Sequence, residues 1–272
     1  MMRMMFWLRW ALCLLLLHTL PLHAQGVTQV QWLGQATFKI TSPKGKVIVV
    51  DPWLKANPLT PPEYKNLAQL GKIDVLLVSH GHTDHLADAP ELAKLHNVPM
   101  YAPGDLNASL VSLGVLPASL APRFNKTGTV EPSEGIRVTA VRAEHSSTLI
   151  WRNPATGKDE SHIGGEPIGF IIELENGFKI WHMGDTGLFG DMAFIARYYQ
   201  PNLILMPIGG NFTMGPKDAA YAATELIKVT DVIPMHYGAN PLAKGTPSQF
   251  TEALKGSPIR AHVMKPGESL SF

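Results

Sequence analysis

The sequence predicts an α+β domain in which two packed β-sheets are covered by helices. Short β-branched and apolar runs, punctuated by Gly and Pro, recur along most of the chain, and amphipathic helical stretches separate only some of them. Turn chemistry at Ser42-Pro43-Lys44-Gly45 and Glu175-Asn176-Gly177 joins strand-like runs into antiparallel hairpins. The chain has 272 residues, 45% apolar and 17% charged, which is enough to bury a core of this kind in one domain.

The N-terminus reads differently from the rest. Arg3 and Arg9 lie in a short basic region, an apolar run covers 11–17, and Leu22-His23-Ala24 closes it, which is the order of a signal peptide cleaved after Ala24. Arg9 and His18 interrupt the run and leave it short of the ~20 residues that a spanning helix requires. The expected organisation is therefore a signal peptide, 1–24, followed by one domain, 25–272. The protein is expected to be exported, periplasmic or secreted, with no stable membrane span after cleavage. Cys13 is the one cysteine and falls inside the leader, so a metal site in the mature chain must use imidazole and carboxylate. Lys plus Arg (23) balance Asp plus Glu (22), and no basic run is interleaved with aromatics, which argues against a nucleic-acid partner.

Strands are expected at 30–40, 47–51, 73–79, 136–143, 169–174, 178–183, 203–207 and 232–235. Helices are expected at 89–97, around 192–199, and at 216–229, where Pro216 suits a first helical position. The segment 153–166 (NPATGKDESHIGGE) is polar and Gly-containing and reads as a surface loop that could serve as a lid.

Chemistry concentrates where strands stop. Ser79-His80-Gly81-His82-Thr83-Asp84-His85 follows the apolar run IDVLLVS and packs four metal-competent side chains into six positions. Asp51 ends VIVVD, His145 follows IRVTAVRAE, Asp185 follows FKIWHMG, and His236 follows DVIPM. If these strands lie side by side, their ends bring the imidazoles and carboxylates into one cluster.

These residues resemble the metallo-β-lactamase superfamily, which has an early Asp, an HxHxDH motif, a later His, a later Asp and a final His in that order. The closer resemblance is to the metal-dependent hydrolases related to the ascorbate-6-phosphate lactonases. It is carried by WLGQATF, DPW, SHGHTDH, AEHSS, GEPIGF, HMGDTGLFGDM, PIGGNFTMGPKDAA and VIPMHYGANP. The resemblance implies an αββα sandwich, two mixed β-sheets flanked by helices, with the site at the edge between the sheets. It implies that one metal takes His80, His82 and His145 and that a second takes Asp84, His85 and His236, with Asp185 bridging both. Asp51 then supports the HxHxDH loop without being a ligand. The chain departs from the family at Gln35, where relatives often carry His, and matches it less well over 150–166.

A site of that kind implies two divalent ions, zinc first, with manganese or iron as alternatives. Two such ions share a water, lower its pKa and present hydroxide to a carbonyl or phosphoryl centre. Asp84 and Asp185 are the expected catalytic carboxylates, the first orienting hydroxide or passing a proton, the second holding the ions together. Asn211 and Thr213, in the Gly-rich loop GGNFTMG, are candidates to face the electrophile's oxygen, and His162 is a candidate substrate contact. His182 reads as structural or near the site. The expected function is a metal-dependent hydrolase that cleaves an ester-like bond, a lactone or phosphodiester, in a small-molecule substrate. Alternatives are β-lactam hydrolysis, iron-dependent redox chemistry and a non-catalytic metal-binding module. The bridging Asp185, His82 at the motif's second position and the full ligand set respectively count against them.

Overall fold

A computed structural model describes residues 26–272, so the signal-peptide reading of 1–24 and Cys13 lie outside the described residues. The strands are Gln29–Trp32 (β1), Phe38–Thr41 (β2), Val47–Val50 (β3), Val75–Leu77 (β4), Met100–Pro103 (β5), Arg123–Phe124 (β6), Thr129–Ser133 (β7), Ile136–Arg142 (β8), Thr148–Arg152 (β9), Asp159–Ile163 (β10), Ile168–Glu173 (β11), Lys179–His182 (β12), Leu203–Pro207 (β13), Asp231–Met235 (β14), Arg260–Ala261 (β15) and Ser269–Ser271 (β16). The helices that matter below are Thr83–Leu86 (α1), Ala89–His96 (α2), Gly104–Ser112 (α3), Met192–Tyr199 (α4), Pro216–Tyr221 (α5) and Pro247–Ala253 (α6). One seven-stranded sheet runs β16-β1-β2-β3-β4-β5-β6, the other β15-β14-β13-β12-β11-β8-β7, and β9 pairs with β10 outside both.

Side-chain alternation explains the layering. In β3, Ile48 and Val50 enter the core between the sheets while Val49 turns outward, against the side of the sheet that α2 and α3 cover. In β13, Leu203 and Leu205 point into the same central core while Ile204 and Met206 pack with residues of α4, α5 and α6. Strands buried on both faces need continuous apolar sequence, which VIVV and LILMP supply. The result is helix on sheet on sheet on helix, the αββα sandwich that the sequence resemblance implies.

Strand direction positions the site. β3, β4 and β5 are parallel, as are β12, β13 and β14. β8 and β12 are both antiparallel to β11 and so run the same way. The C-terminal ends of these strands therefore open on one edge of the sandwich. β2 is antiparallel to β3, with Phe38 opposite Val50, so the turn entering β2 reaches that edge too. Fully buried aliphatic side chains such as Leu76 and Leu77 each stabilise the sheets by about 1.5–3 kcal/mol, which lets the frame hold unfavourable backbone conformations at its rim.

The structure departs from the expected elements in specific places. The single strand expected at 30–40 is two, because Gly34 (φ 101°) and Gln35 (φ 53°) reverse the chain between β1 and β2. The segment 153–166 is not loop throughout: its residues Asp159–Ile163 form β10, which pairs with β9 from Asp159–Arg152 through Ile163–Thr148, and the remainder is turn and irregular chain. Its alternating residues are exposed or half-buried on both faces, so it carries no apolar stripe to signal a strand. The helix expected at 216–229 begins with Pro216 but continues after α5 as a wider π-type turn over Ala222–Ile227. No described helix is long and apolar enough to cross a membrane.

Candidate metal centre

The edge gathers every expected ligand. β4 is followed by Val78 and the buried Ser79, and the chain then passes His80, Gly81 and His82 before turning into α1. Alternate residues of an extended segment point the same way, so His80 and His82 face one another, with Nε2 of the first 3.0 Å from Nδ1 of the second. His145, three residues beyond β8, brings its ring centroid to 5.1 Å from each of them. Asp84 and His85 are consecutive on a helix and project about 100° apart. Asp84 stays 31% exposed at its side chain, whereas His85 is fully buried. Asp185, three residues after β12, and His236, the first after β14, are both almost fully buried.

Two donor groups result. His80, His82 and His145 form one, and Asp84, His85, Asp185 and His236 the other, with the ligand atoms of each group within 4.8 Å of one another. Asp185 joins them. Its Oδ1 is 3.3 Å from His85 Nε2, and its Oδ2 is 2.9 Å from His236 Nε2 and 3.5 Å from His145 Nε2. Nε2 of His85 and Oδ1 of Asp185 are buried without any hydrogen-bond partner, a costly arrangement unless another group satisfies them. Imidazole nitrogens and carboxylate oxygens converging in this way fit divalent cations of the zinc or manganese type.

Neighbouring groups orient the donors. Asp51 is fully buried. Its Oδ1 accepts from Ser79 N–H (2.6 Å), and its Oδ2 accepts from Ser79 Oγ (2.6 Å) and His85 Nδ1 (2.8 Å). His85 therefore presents Nε2 to Asp185, as a steadied ligand would. Behind the loop, Asp88 accepts from the backbone N–H of Leu54 (2.6 Å) and Lys55 (3.0 Å), tying the start of α2 to the chain leaving β3. His182 is structural: Nε2 meets Ala36 O at 2.9 Å, and Nδ1 accepts from Gly184 N–H at 3.2 Å.

Backbone conformation contributes as well. Gln35 (φ 53°), Asp51 (φ 48°) and His236 (φ 58°) are all left-handed, a region uncommon for any residue but Gly and least expected at Gln35, since Asp and His enter it more readily. Gly184 (φ 63°) lets the chain before Asp185 pass close to Ile168 O and Ser79, where a Cβ would come within 2.7 Å and 3.0 Å.

The charges are mutually supporting. Burial holds the His80 imidazole well below its ordinary range, and the neighbouring His85 adds to the effect. Burial opposes charge on His85 too, but Asp185, Asp84 and Asp51 outweigh it and hold its imidazolium well above the usual range. His236 follows the same pattern: burial lowers it, Asp185 and Asp84 raise it more, and it is pushed up to about 9. Burial works against ionisation of Asp185 and Asp84 as well. Charge from His85 and His236 prevails, and both carboxyls are held below the ordinary carboxylate range.

A cavity of about 270 Å³ opens over the cluster, lined by His82, Asp84, His145, Ser146, Asp185, Phe212, His236 and Asn240. Asn211 and Thr213 do not line it. Asn211 takes a left-handed conformation (φ 61°) and Thr213 is buried with its hydroxyl 3.4 Å from Met214 O, so the side chain that reaches the cavity from this loop is Phe212 between them. His162 does not line it either. It sits on β10, edge-on to Trp151 at 5.9 Å between ring centroids, and faces a separate recess with Asp105, Ser147 and Glu166. Phe212 and Asn240 were not among the sequence candidates, although each lies in a motif of the resemblance, GGNFTMG and HYGANP. Ser146 reaches the cavity beside its chain neighbour His145.

Similarity to known proteins agrees with the geometry. Residues 46–237 match the family model described as the beta-lactamase superfamily domain. A metal-dependent hydrolase of Polaromonas sp. is 67% identical over 249 residues, covering 92% of this chain and 91% of the relative. One from Polynucleobacter asymbioticus is 60% identical over 250 residues, covering 92% and 88%. Among solved structures, the metallo hydrolase Igni18 of Ignicoccus hospitalis superposes with a TM-score of 0.77 at 28% identity, over 90% of this chain and 98% of that one.

Proposed function

This chain belongs to the metal-dependent hydrolases of the beta-lactamase superfamily, and from that premise we propose that it cleaves an ester-like bond, in a lactone or a phosphodiester, at a site for two divalent cations. The observation that carries the proposal is Asp185, whose carboxylate touches His85, His145 and His236 and so links the two donor groups. His80, His82 and His145 would hold one ion and Asp84, His85 and His236 the other, with Asp185 shared. Held by these residues, two divalent ions would supply activation of water at neutral pH and polarisation of the oxygen of the bond under attack.

The chain's own residues do the rest. Asp84 opens on the cavity and, despite burial, its carboxyl is held below the ordinary range by the charge of His85 and His236, so it would stand as a carboxylate placed to orient the attacking water and to relay its proton towards the leaving oxygen. Asn240 and Ser146 offer polar side chains to orient the substrate, and Phe212 offers an apolar wall. A cavity of about 270 Å³ suits a small molecule. Zinc and manganese both fit the donor set, zinc being favoured by the five imidazoles. We further propose that the protein is exported to the periplasm or beyond, on the signal-peptide order of residues 1–24.

The test is a panel of lactones, phosphodiesters and β-lactams offered to the protein reconstituted separately with zinc and manganese. Turnover of a lactone or phosphodiester is expected, with loss of that turnover in Asp185→Ala. Undiminished turnover in Asp185→Ala, or selective cleavage of β-lactams, would refute the reading.

A further inference from the structure

We propose that Gln35 is a positioning residue for the cation held by Asp84, His85 and His236, acting on Asp84 and His236 and leaving the His80, His82 and His145 group untouched. The inference rests on the two-cation reading above and deepens it.

Gln35 is only 1% exposed, yet it carries a polar amide. Its Nε2 donates to Asp84 Oδ2 at 2.9 Å and lies 2.8 Å from His236 Nε2. Its Oε1 is buried without a hydrogen-bond partner. The backbone is engaged on the same side, because Gln35 O accepts from His236 N–H at 3.0 Å and from Trp32 Nε1–H at 2.9 Å. One residue thus hydrogen-bonds the carboxylate of Asp84 and the backbone of His236 and lies against the His236 ring.

Two costs argue that the side chain has a task. An amide taken out of water must recover its hydrogen bonds, and here one of its two polar atoms does not recover them within the protein. The left-handed backbone (φ 53°) adds a further penalty for any residue with a Cβ. A residue needed only to turn the chain between β1 and β2 would be Gly or Asn. Among the hydrogen bonds of the described residues, none joins Gln35 to His80, His82 or His145. Its influence is therefore confined to one half of the site. Second-sphere partners of metal ligands typically alter affinity by about 10–100-fold when removed.

The experiment titrates cobalt(II) into the metal-free full-length protein, following heat and visible absorption, for wild type, Gln35→Met and Gln35→Ala. Wild type is expected to take two ions. Both variants should bind one ion as tightly as wild type and the other about 10–100-fold more weakly, with unchanged thermal melts of the metal-free proteins. Two ions bound with wild-type affinity in either folded variant would overturn the proposal. So would loss of both ions together with a lowered melt, which would make Gln35 a packing residue only. If wild type itself takes fewer than two ions, the two-cation reading fails, and that failure is separate because it is seen before any variant is compared.

Discussion

At the scale of single residues, the site works by converging constraints on a few atoms. Asp51 shows this most clearly, since its two oxygens hold Ser79 and His85 in fixed orientations. Asp51→Ala should therefore lower metal affinity or turnover by about 10–100-fold while the ligands themselves remain, measured by metal titration and steady-state kinetics. The imidazoles also dictate a pH response. In the metal-free protein His236 is raised from 6.5 to about 9, so the folded state holds a proton that the unfolded state has lost over that window. His85 is raised in the same direction. Stability of the metal-free protein should accordingly fall as pH rises from about 6.5 to 9. Metal affinity should rise over the same interval, because ligands must shed their protons to bind. Chemical denaturation and calorimetric proton release measure the two trends, and parallel trends would contradict the assignment of His236.

At the scale of elements, loops are held by close backbone passage as much as by side chains. Gly184→Ala places a Cβ 2.7 Å from Ile168 O in a left-handed backbone, and should destabilise the protein by about 1–3 kcal/mol and reduce metal content by displacing Asp185. The β9–β10 hairpin is different. Ser147 ties its base to the metal loop, accepting from Gly81 N–H at 3.0 Å and donating to Gly164 O at 2.8 Å, whereas its tip at 154–157 contributes no residue to the cavity lining. Replacing that tip with Asn-Gly should leave metal stoichiometry unchanged. The difference between legible and illegible elements has a physical basis. β3, β4, β13 and β14 are buried on both faces and announce themselves as apolar runs, so Asp51, His80 and His236, one to three residues beyond the ends of β3, β4 and β14, could be placed at once. β10 is barely buried and reads as a loop. α6 was passed over although Thr246 and Gln249 form a capping box with Pro247 between them, a signal present in the sequence. α3 has no capping side chain to announce it. Which side chain of GGNFTMG faces the cavity depends on the backbone at Asn211, and sequence spacing does not report φ.

At the scale of the whole molecule, two sheets of opposite provenance in the chain supply the two sides of one site. The site residues from Gln35 to His85 lie on connections of the first sheet and His145, Asp185 and His236 on connections of the second, so a bound cation would bridge the halves of the sandwich. Metal should therefore stabilise the entire fold, by about 2.7 kcal/mol at a free concentration one hundred times the dissociation constant, read as a rise in melting temperature. The most direct measurement of the central claim is hydrolysis of a lactone or phosphodiester by chelator-stripped protein as zinc or manganese is added in equivalents. Activity should be absent without metal and should saturate at two ions per chain; activity that survives chelation, or that saturates at one ion, would contradict it.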